Sequence, residues 1–215
     1  MTLKKLFILL LLSNTWLFGC ALCNLKRPIV HVSTEVSTKD DLVNLHITWE
    51  MAKDFSIEVV RSFDINGNEI YEQQELYELQ KILELYLIPH HYLTFIKTSQ
   101  NNKTIDIDFK VTNASVRYDY GKSLLYYSYD ISLQKKQLKN SFGIKFYDSQ
   151  KYFDLLLYDF NSDIFNTNNL QRTTNSLTLF FDNNSTELFS ETMETKIKKN
   201  IIVEALSHHL NNLKE

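Results

Sequence analysis

The chain has few of the residues that usually make tight turns or crosslinks. Its 215 residues include four glycines, two prolines and two cysteines. Turns must therefore be made largely by Asn, Asp, Ser and Lys. Both cysteines, Cys20 and Cys23, lie near the N-terminus, which excludes a disulfide framework through the rest of the chain. The formal net charge is −3, and nucleic-acid binding needs clustered Lys and Arg, so we expect no nucleic-acid partner.

The common catalytic motifs are also absent from the sequence. There is no glycine-rich phosphate loop, no nucleophile elbow and no His-Glu-x-x-His. We therefore expect a binding or structural protein rather than an enzyme. Hydrophobic residues make up 44% of the chain and aromatic residues 13%, which is typical of a folded domain with a real core.

Residues 1–23 have the pattern of a secretory signal peptide. Two lysines precede an apolar run at 6–12, and small residues follow from Gly19. The run is too short to span a membrane. Two processing routes remain open, which are cleavage between Gly19 and Cys23 and lipidation at Cys20, where the preceding Leu-Phe-Gly resembles a lipobox. Both routes predict a protein of the periplasm or cell envelope. A membrane attachment is expected only with lipidation, through the lipid on Cys20.

The stretch that starts at Asp64 has oxygen-bearing side chains at the spacing of a calcium-binding helix–loop–helix. Apolar residues at helical spacing on both sides predict an entering and an exiting helix. Glu69 stands at loop position 6, where Gly is usual, so we expect weak Ca²⁺ binding, on the order of 10⁻⁴–10⁻³ M. A solvated loop without an ion is the alternative. The candidate ligands, with Ile70 contributing its backbone carbonyl, are Asp64, Asn66, Asn68, Ile70 and Glu75.

Residues 30–49 contain two alternating segments that predict an antiparallel hairpin. The expected registers place His31 opposite or diagonal to His46 on the outward face, about 4.5–8 Å apart between Cβ atoms. With Glu35 or Glu50 as a third ligand, this pair is a candidate Zn²⁺ or Ni²⁺ site. Two solvated surface histidines are the alternative.

From Tyr92 onward, apolar and polar residues alternate in several short segments separated by turn residues. This pattern predicts an antiparallel sandwich or twisted sheet. The nearly continuous apolar run at 152–158 is typical of a central strand. The predicted fold class is α+β, in which an antiparallel, sandwich-like β core carries an inserted helix–loop–helix and a C-terminal helix.

The C-terminal part, residues 161–215, is predicted to follow the main domain at 28–160. A polar linker at 161–175 leads to a strand at 177–181 and then to an amphipathic helix capped by Ser185. The helix either covers the sheet or binds a partner, because exposed apolar stripes are unusual. Its apolar stripe consists of Leu188, Phe189, Met193, Ile197, Ile201, Ala205 and Leu210.

Two groups of residues resemble one known family. The first comprises Trp49, Asp54-Phe55-Ser56, Phe63-Asp64-x-Asn66-Gly67-Asn68 and Glu75-Leu76, and the second comprises Phe142-Gly-Ile-Lys-Phe-Tyr-Asp148 and Tyr152-Phe153-Asp154. Together they are similar to the DUF1007 family. The chain departs from the family pattern at Val30-His31-Val32, which replaces His-Pro-His-Val, at Glu69, which replaces Gly, and at Ser149, which replaces Pro.

The resemblance implies a secreted periplasmic component of an ABC-type transport system, often encoded beside nickel, cobalt or zinc permeases. It therefore implies an inner-membrane metal permease as partner. The expected function is an accessory or binding component of transition-metal transport. The alternative is a structural or interaction module of the envelope with no transport role.

Overall fold

The computed structural model describes residues 27–101, 103–138, 141–162, 170–180 and 188–189. This part of the chain is mostly β-strand with few helices, which confirms a β-rich α+β protein. Buried and more exposed residues alternate in the strands at 29–39, 42–51 and 124–134, because one face of such a strand packs in the core while the other meets water.

Ten strands, numbered in chain order, form two five-stranded sheets in the described residues. The strands are β1 (Ile29–Lys39), β2 (Leu42–Met51), β3 (Thr94–Gln100), β4 (Lys103–Asp106), β5 (Val111–Asp119), β6 (Leu124–Gln134), β7 (Ser141–Phe146), β8 (Asp154–Ser162), β9 (Leu170–Arg172) and β10 (Ser176–Phe180).

The first sheet has the strand order β5-β6-β2-β1-β8, and the second has the order β4-β3-β7-β10-β9. Every neighbouring pair is antiparallel except β1 and β8, which run parallel. The antiparallel core is thus confirmed, with one parallel pair at an edge. A parallel neighbour needs a long connection, and β8 follows β1 by more than a hundred residues.

Side chains from both sheets share one hydrophobic core. Trp49 of β2 and Tyr129 of β6 come from the first sheet, and Phe142 of β7 comes from the second, and all three are fully buried. The hydroxyl oxygens of Tyr129 and Thr94 lie 2.6 Å apart and join β6 to β3 across the core. Both sheets therefore contribute side chains to the same core.

Two α-helices lie between β2 and β3, where the sequence predicts them, and a 3-10 segment, Ile88–Leu93, follows the second. Helix α1 spans Lys53–Ser62 and helix α2 spans Gln73–Leu87. The buried hydroxyl of Ser56 in α1 accepts the backbone N–H of Leu125 at 3.0 Å and so ties α1 to β6. No helix among the described residues is long and apolar enough to cross a membrane.

The turn before β8 is built around a buried carboxylate. Asp148 is 4% exposed and accepts four hydrogen bonds. Three come from the backbone N–H groups of Gln150, Tyr152 and Phe153, at 2.7–2.9 Å. The fourth comes from the hydroxyl of Tyr86 in α2, at 2.6 Å. Asp148 thereby fixes the turn and joins it to the helix.

The sequence predicts a central strand for the apolar run at 152–158. This prediction is wrong, because β8, which contains most of the run, lies at the edge of the first sheet. Part of the predicted linker is also a strand, β9. Its last residue, Arg172, donates hydrogen bonds to the backbone carbonyls of Leu157 and Tyr158. In a central strand such carbonyls would be bonded to a neighbouring strand; at this edge the Arg172 side chain takes the place of that neighbour.

Only Leu188 and Phe189 of the predicted C-terminal helix are among the described residues, and they form a bend. Both are buried. A Cβ atom at Gly143 of β7 would lie 2.7 Å from the Phe189 ring and 2.9 Å from the Leu188 side chain. The glycine is therefore needed for this close packing against the second sheet, and the rest of the helix prediction lies outside the described residues.

Candidate functional site

The loop between α1 and α2 is folded by its own polar side chains. The Asp64 carboxylate accepts the backbone N–H groups of Asn68 and Glu69, at 3.2 and 3.0 Å. Asn66 Oδ1 also accepts the Asn68 N–H, at 3.0 Å, and Asn68 Oδ1 accepts the Ile70 N–H at 2.7 Å. Short side chains with oxygen acceptors favour such local bonds. Three predicted ligands thus turn towards the loop backbone.

Loop position 6 has the left-handed backbone that usually favours glycine. Glu69 has φ of 60°, and Gly67 two residues earlier has φ of 69°. A left-handed conformation costs an ordinary residue about 1–2 kcal/mol. The chain makes the turn in spite of the substitution, and the two hydrogen bonds to Asp64 offset part of this cost.

Glu75, at loop position 12, closes the loop. Its side chain is almost fully buried, at 4% exposure. One carboxylate oxygen accepts the N–H of Ile65 at 2.9 Å, and the other accepts the N–H of Glu72 at 3.1 Å. Glu72 and Glu75 also form a capping box at the start of α2. A single carboxylate therefore joins the beginning of the loop to its end.

The oxygens of this loop suit a hard divalent cation. Each accepting oxygen has a second lone pair, so the observed hydrogen bonds leave acceptor capacity for an ion. No group of three or more His, Cys, Asp and Glu side chains in the described part of the chain is arranged to hold a metal. Binding would therefore depend on the two asparagines and on the Ile70 carbonyl, in addition to Asp64 and Glu75.

One contact to the loop comes from a residue that the sequence does not single out. Tyr120 lies 49 residues after Tyr71 in the chain, and its hydroxyl oxygen accepts the Tyr71 backbone N–H at 2.6 Å. The same hydroxyl donates to the Tyr71 carbonyl at 3.3 Å. A contact between residues so far apart depends on how the loop packs against the sheet, which local spacing does not reveal.

The predicted pairing of His31 with His46 is wrong. In the observed register His31 lies opposite Glu50, and His46 lies opposite Glu35. The two histidines share a face but are offset by four positions (50 − 46), or about 13 Å along the strands. They therefore do not form one zinc or nickel site.

Each histidine has its own carboxylate partner on the outward face of the first sheet. His31 Nδ1 lies 3.8 Å from Glu50 Oε1, and His46 Nδ1 lies 2.6 Å from Asp130 Oδ1. Burial alone would raise the pKa of Asp130, but hydrogen bonds from Asn113 and His46 hold this pKa below its usual value. The histidines are thus part of a polar surface network.

The fold and the loop together define a class of protein: a two-sheet, β-rich α+β protein with two helices and a connecting loop between its second and third strands. The family model described as "Protein of unknown function (DUF1007)" matches residues 29–181. The chain belongs to the DUF1007 family. The match begins with β1 and includes β10. No curated protein matches the chain. Cys20, with the signal-peptide and lipidation predictions, lies outside the described residues.

Proposed function

We propose that this chain is a periplasmic accessory or binding component of a transition-metal transport system, and that its loop at 64–75 binds Ca²⁺ in the manner of an EF-hand. The observation that supports the ion site is the closed loop. Asp64 holds the backbone of loop positions 5 and 6, and Glu75 joins the loop's two ends. The transport role rests on the resemblance to the family.

The chemistry of the loop separates its ion from the transported metal. Carboxylate, amide and carbonyl oxygens suit Ca²⁺, whereas zinc and nickel favour imidazole and thiolate ligands. The proposed Ca²⁺ therefore stabilises the helix–loop–helix, and the zinc, nickel or cobalt ion is handled elsewhere, by the chain or by its permease partner.

Calorimetric titration of the chelator-stripped full chain is expected to show one Ca²⁺ site with a dissociation constant on the order of 10⁻⁴–10⁻³ M. Asp64→Asn removes the anionic ligand at position 1 and should weaken binding by about tenfold or more. Asp54→Asn removes the same charge from the first turn of α1, about 15 Å of helix away, and should bind as the wild type does. A wild-type chain that binds no Ca²⁺ would refute the proposed site.

The transport role is tested in cells. A strain that lacks the gene is expected to contain less zinc, nickel or cobalt and to fail in metal-poor medium, with growth restored by added metal. Unchanged metal content would favour the second candidate, an envelope interaction module. One observation supports that candidate: Ile82, Leu85 and Ile88 lie along α2 and its end at helical spacing and are exposed by 54, 72 and 56%.

A further inference from the structure

Tyr120 reaches the loop from the turn between β5 and β6. Its ring stacks on Tyr71, with centroids 5.9 Å apart and an interplanar angle of 13°. Tyr118 meets both rings edge-on, at 5.0 and 5.1 Å. Two hydrogen bonds join the Tyr120 hydroxyl to the backbone N–H and C=O of Tyr71. Among the described residues, no other residue outside the helix–loop–helix is hydrogen-bonded to the loop backbone.

The N–H of Tyr71 and the C=O of Ile70 belong to the same peptide unit. A trans peptide is planar, so its N–H and C=O point in opposite directions, and the described residues contain no cis peptide. A bond that holds the Tyr71 N–H on Tyr120 therefore directs the Ile70 carbonyl away from Tyr120. Hydrogen bonding at the N–H also polarises the peptide and strengthens its carbonyl as an electron-pair donor.

We propose that Tyr120 is a positioning residue for the loop at 64–75, and that its hydroxyl orients the Ile70 carbonyl as the Ca²⁺ ligand at loop position 7. The inference rests on the proposed Ca²⁺ site. The other ligand side chains are oriented by bonds within the helix–loop–helix. The Ile70 ligand is a backbone carbonyl, so its direction depends on the orientation of its peptide plane. The hydrogen bond from the Tyr71 N–H to Tyr120 fixes that plane.

The choice of ion supplies a readout that general loosening of the loop would not change. Ca²⁺ takes six to eight oxygens, including a backbone carbonyl, whereas Mg²⁺ keeps several waters of hydration. A misdirected carbonyl therefore weakens Ca²⁺ binding, whereas a water of hydration can take the place of the carbonyl around Mg²⁺. Loss of the Tyr120 hydroxyl should reduce the preference for Ca²⁺ over Mg²⁺.

The test is Tyr120→Phe in the full chain, which keeps the stacked ring and removes only the hydroxyl. Calorimetry with Ca²⁺, and with Mg²⁺ in competition, is expected to show Ca²⁺ binding weakened about three- to tenfold, as for one lost hydrogen bond, and Mg²⁺ binding unchanged. The matched control is Tyr118→Phe, because no described residue is hydrogen-bonded to the Tyr118 hydroxyl and its ring lies in the same cluster.

Three outcomes would overturn the inference, and each is distinct. Equal Ca²⁺ affinity in the two variants would show that Tyr120 does not orient a ligand, while the Ca²⁺ site would stand. Equal weakening of Ca²⁺ and Mg²⁺ would show that the hydroxyl only stabilises the loop. Absence of Ca²⁺ binding in the wild type would remove the proposed site together with this role of Tyr120.

Discussion

Replacement of Asp148 by Ala is expected to lower the free energy of unfolding by about 3–4 kcal/mol, because buried donors that lose their acceptor cost about 1–3 kcal/mol each and water can recover part of this. The carboxylate accepts three backbone N–H groups and the Tyr86 hydroxyl. Burial, together with the bond to Asp148, raises the pKa of Tyr86, so that its hydroxyl remains a donor across the ordinary pH range. Such a loss is large against the 5–15 kcal/mol that typically stabilises a domain.

Urea unfolding measures this loss of stability, and a comparison of variants shows how much each contact of Asp148 contributes. Tyr86→Phe removes a single bond to Asp148 and should cost about 1 kcal/mol. Asp154→Ala is the matched control, since its half-exposed carboxylate meets Arg27 at 3.7 Å, and such surface pairs contribute about 0–1 kcal/mol. Equal stability of Asp148→Ala and Asp154→Ala would contradict the role given to the turn.

The first hairpin shows which part of a strand pairing can be derived from sequence. Alternation correctly predicts the buried face of β1 and β2, because side chains point to opposite faces in turn. It does not determine the register, since a shift by two residues preserves both faces. The register depends on the turn, which here lies between the paired residues Lys39 and Leu42 and includes Asp40 at φ of 53°. This turn places Glu50, rather than His46, opposite His31.

The strand β8 shows a different limit. Its apolar composition is typical of a strand covered on both faces, yet Leu156 and Tyr158 are exposed, at 37 and 69%. The Tyr158 ring stacks on His31 at 5.2 Å between centroids, and Arg172 bonds to the edge carbonyls. These contacts join distant parts of the chain, so composition within the strand does not reveal its place in the sheet.

The loop at 64–75 was the most predictable part of the candidate site, because its candidate ligands and most of its hydrogen bonds are local in sequence. Apolar residues at helical spacing on both sides of the loop correctly predict the two helices that flank it. Two features were beyond prediction from spacing. One is the burial of Glu75, and the other is the contact with Tyr120, since both depend on the tertiary packing of the helix pair against the sheet.

Glu75→Gln is expected to weaken Ca²⁺ binding by about a hundredfold or more, because position 12 of the proposed site would supply a bidentate carboxylate, whereas an amide has one oxygen and no charge. The ion-free chain should lose about 1–2 kcal/mol of stability, since an amide nitrogen then faces a backbone N–H that the carboxylate now accepts.

Glu78→Gln is the control for the Glu75 variant. Glu78 lies one turn further along α2 and is not a candidate ligand; its side chain accepts bonds from Lys81 and from Gln74, which is not a candidate ligand either. The Ca²⁺ affinity of this variant should therefore equal that of the wild type. Equal Ca²⁺ affinity in the Glu75 and Glu78 variants would place the ion outside the loop. Ca²⁺ affinity and ion-free stability should both fall for Glu75→Gln, and neither should fall in the control. That result would show that the Glu75 carboxylate both closes the loop and binds the ion, because the bonds that close the loop also hold the carboxylate oxygens in place for a cation.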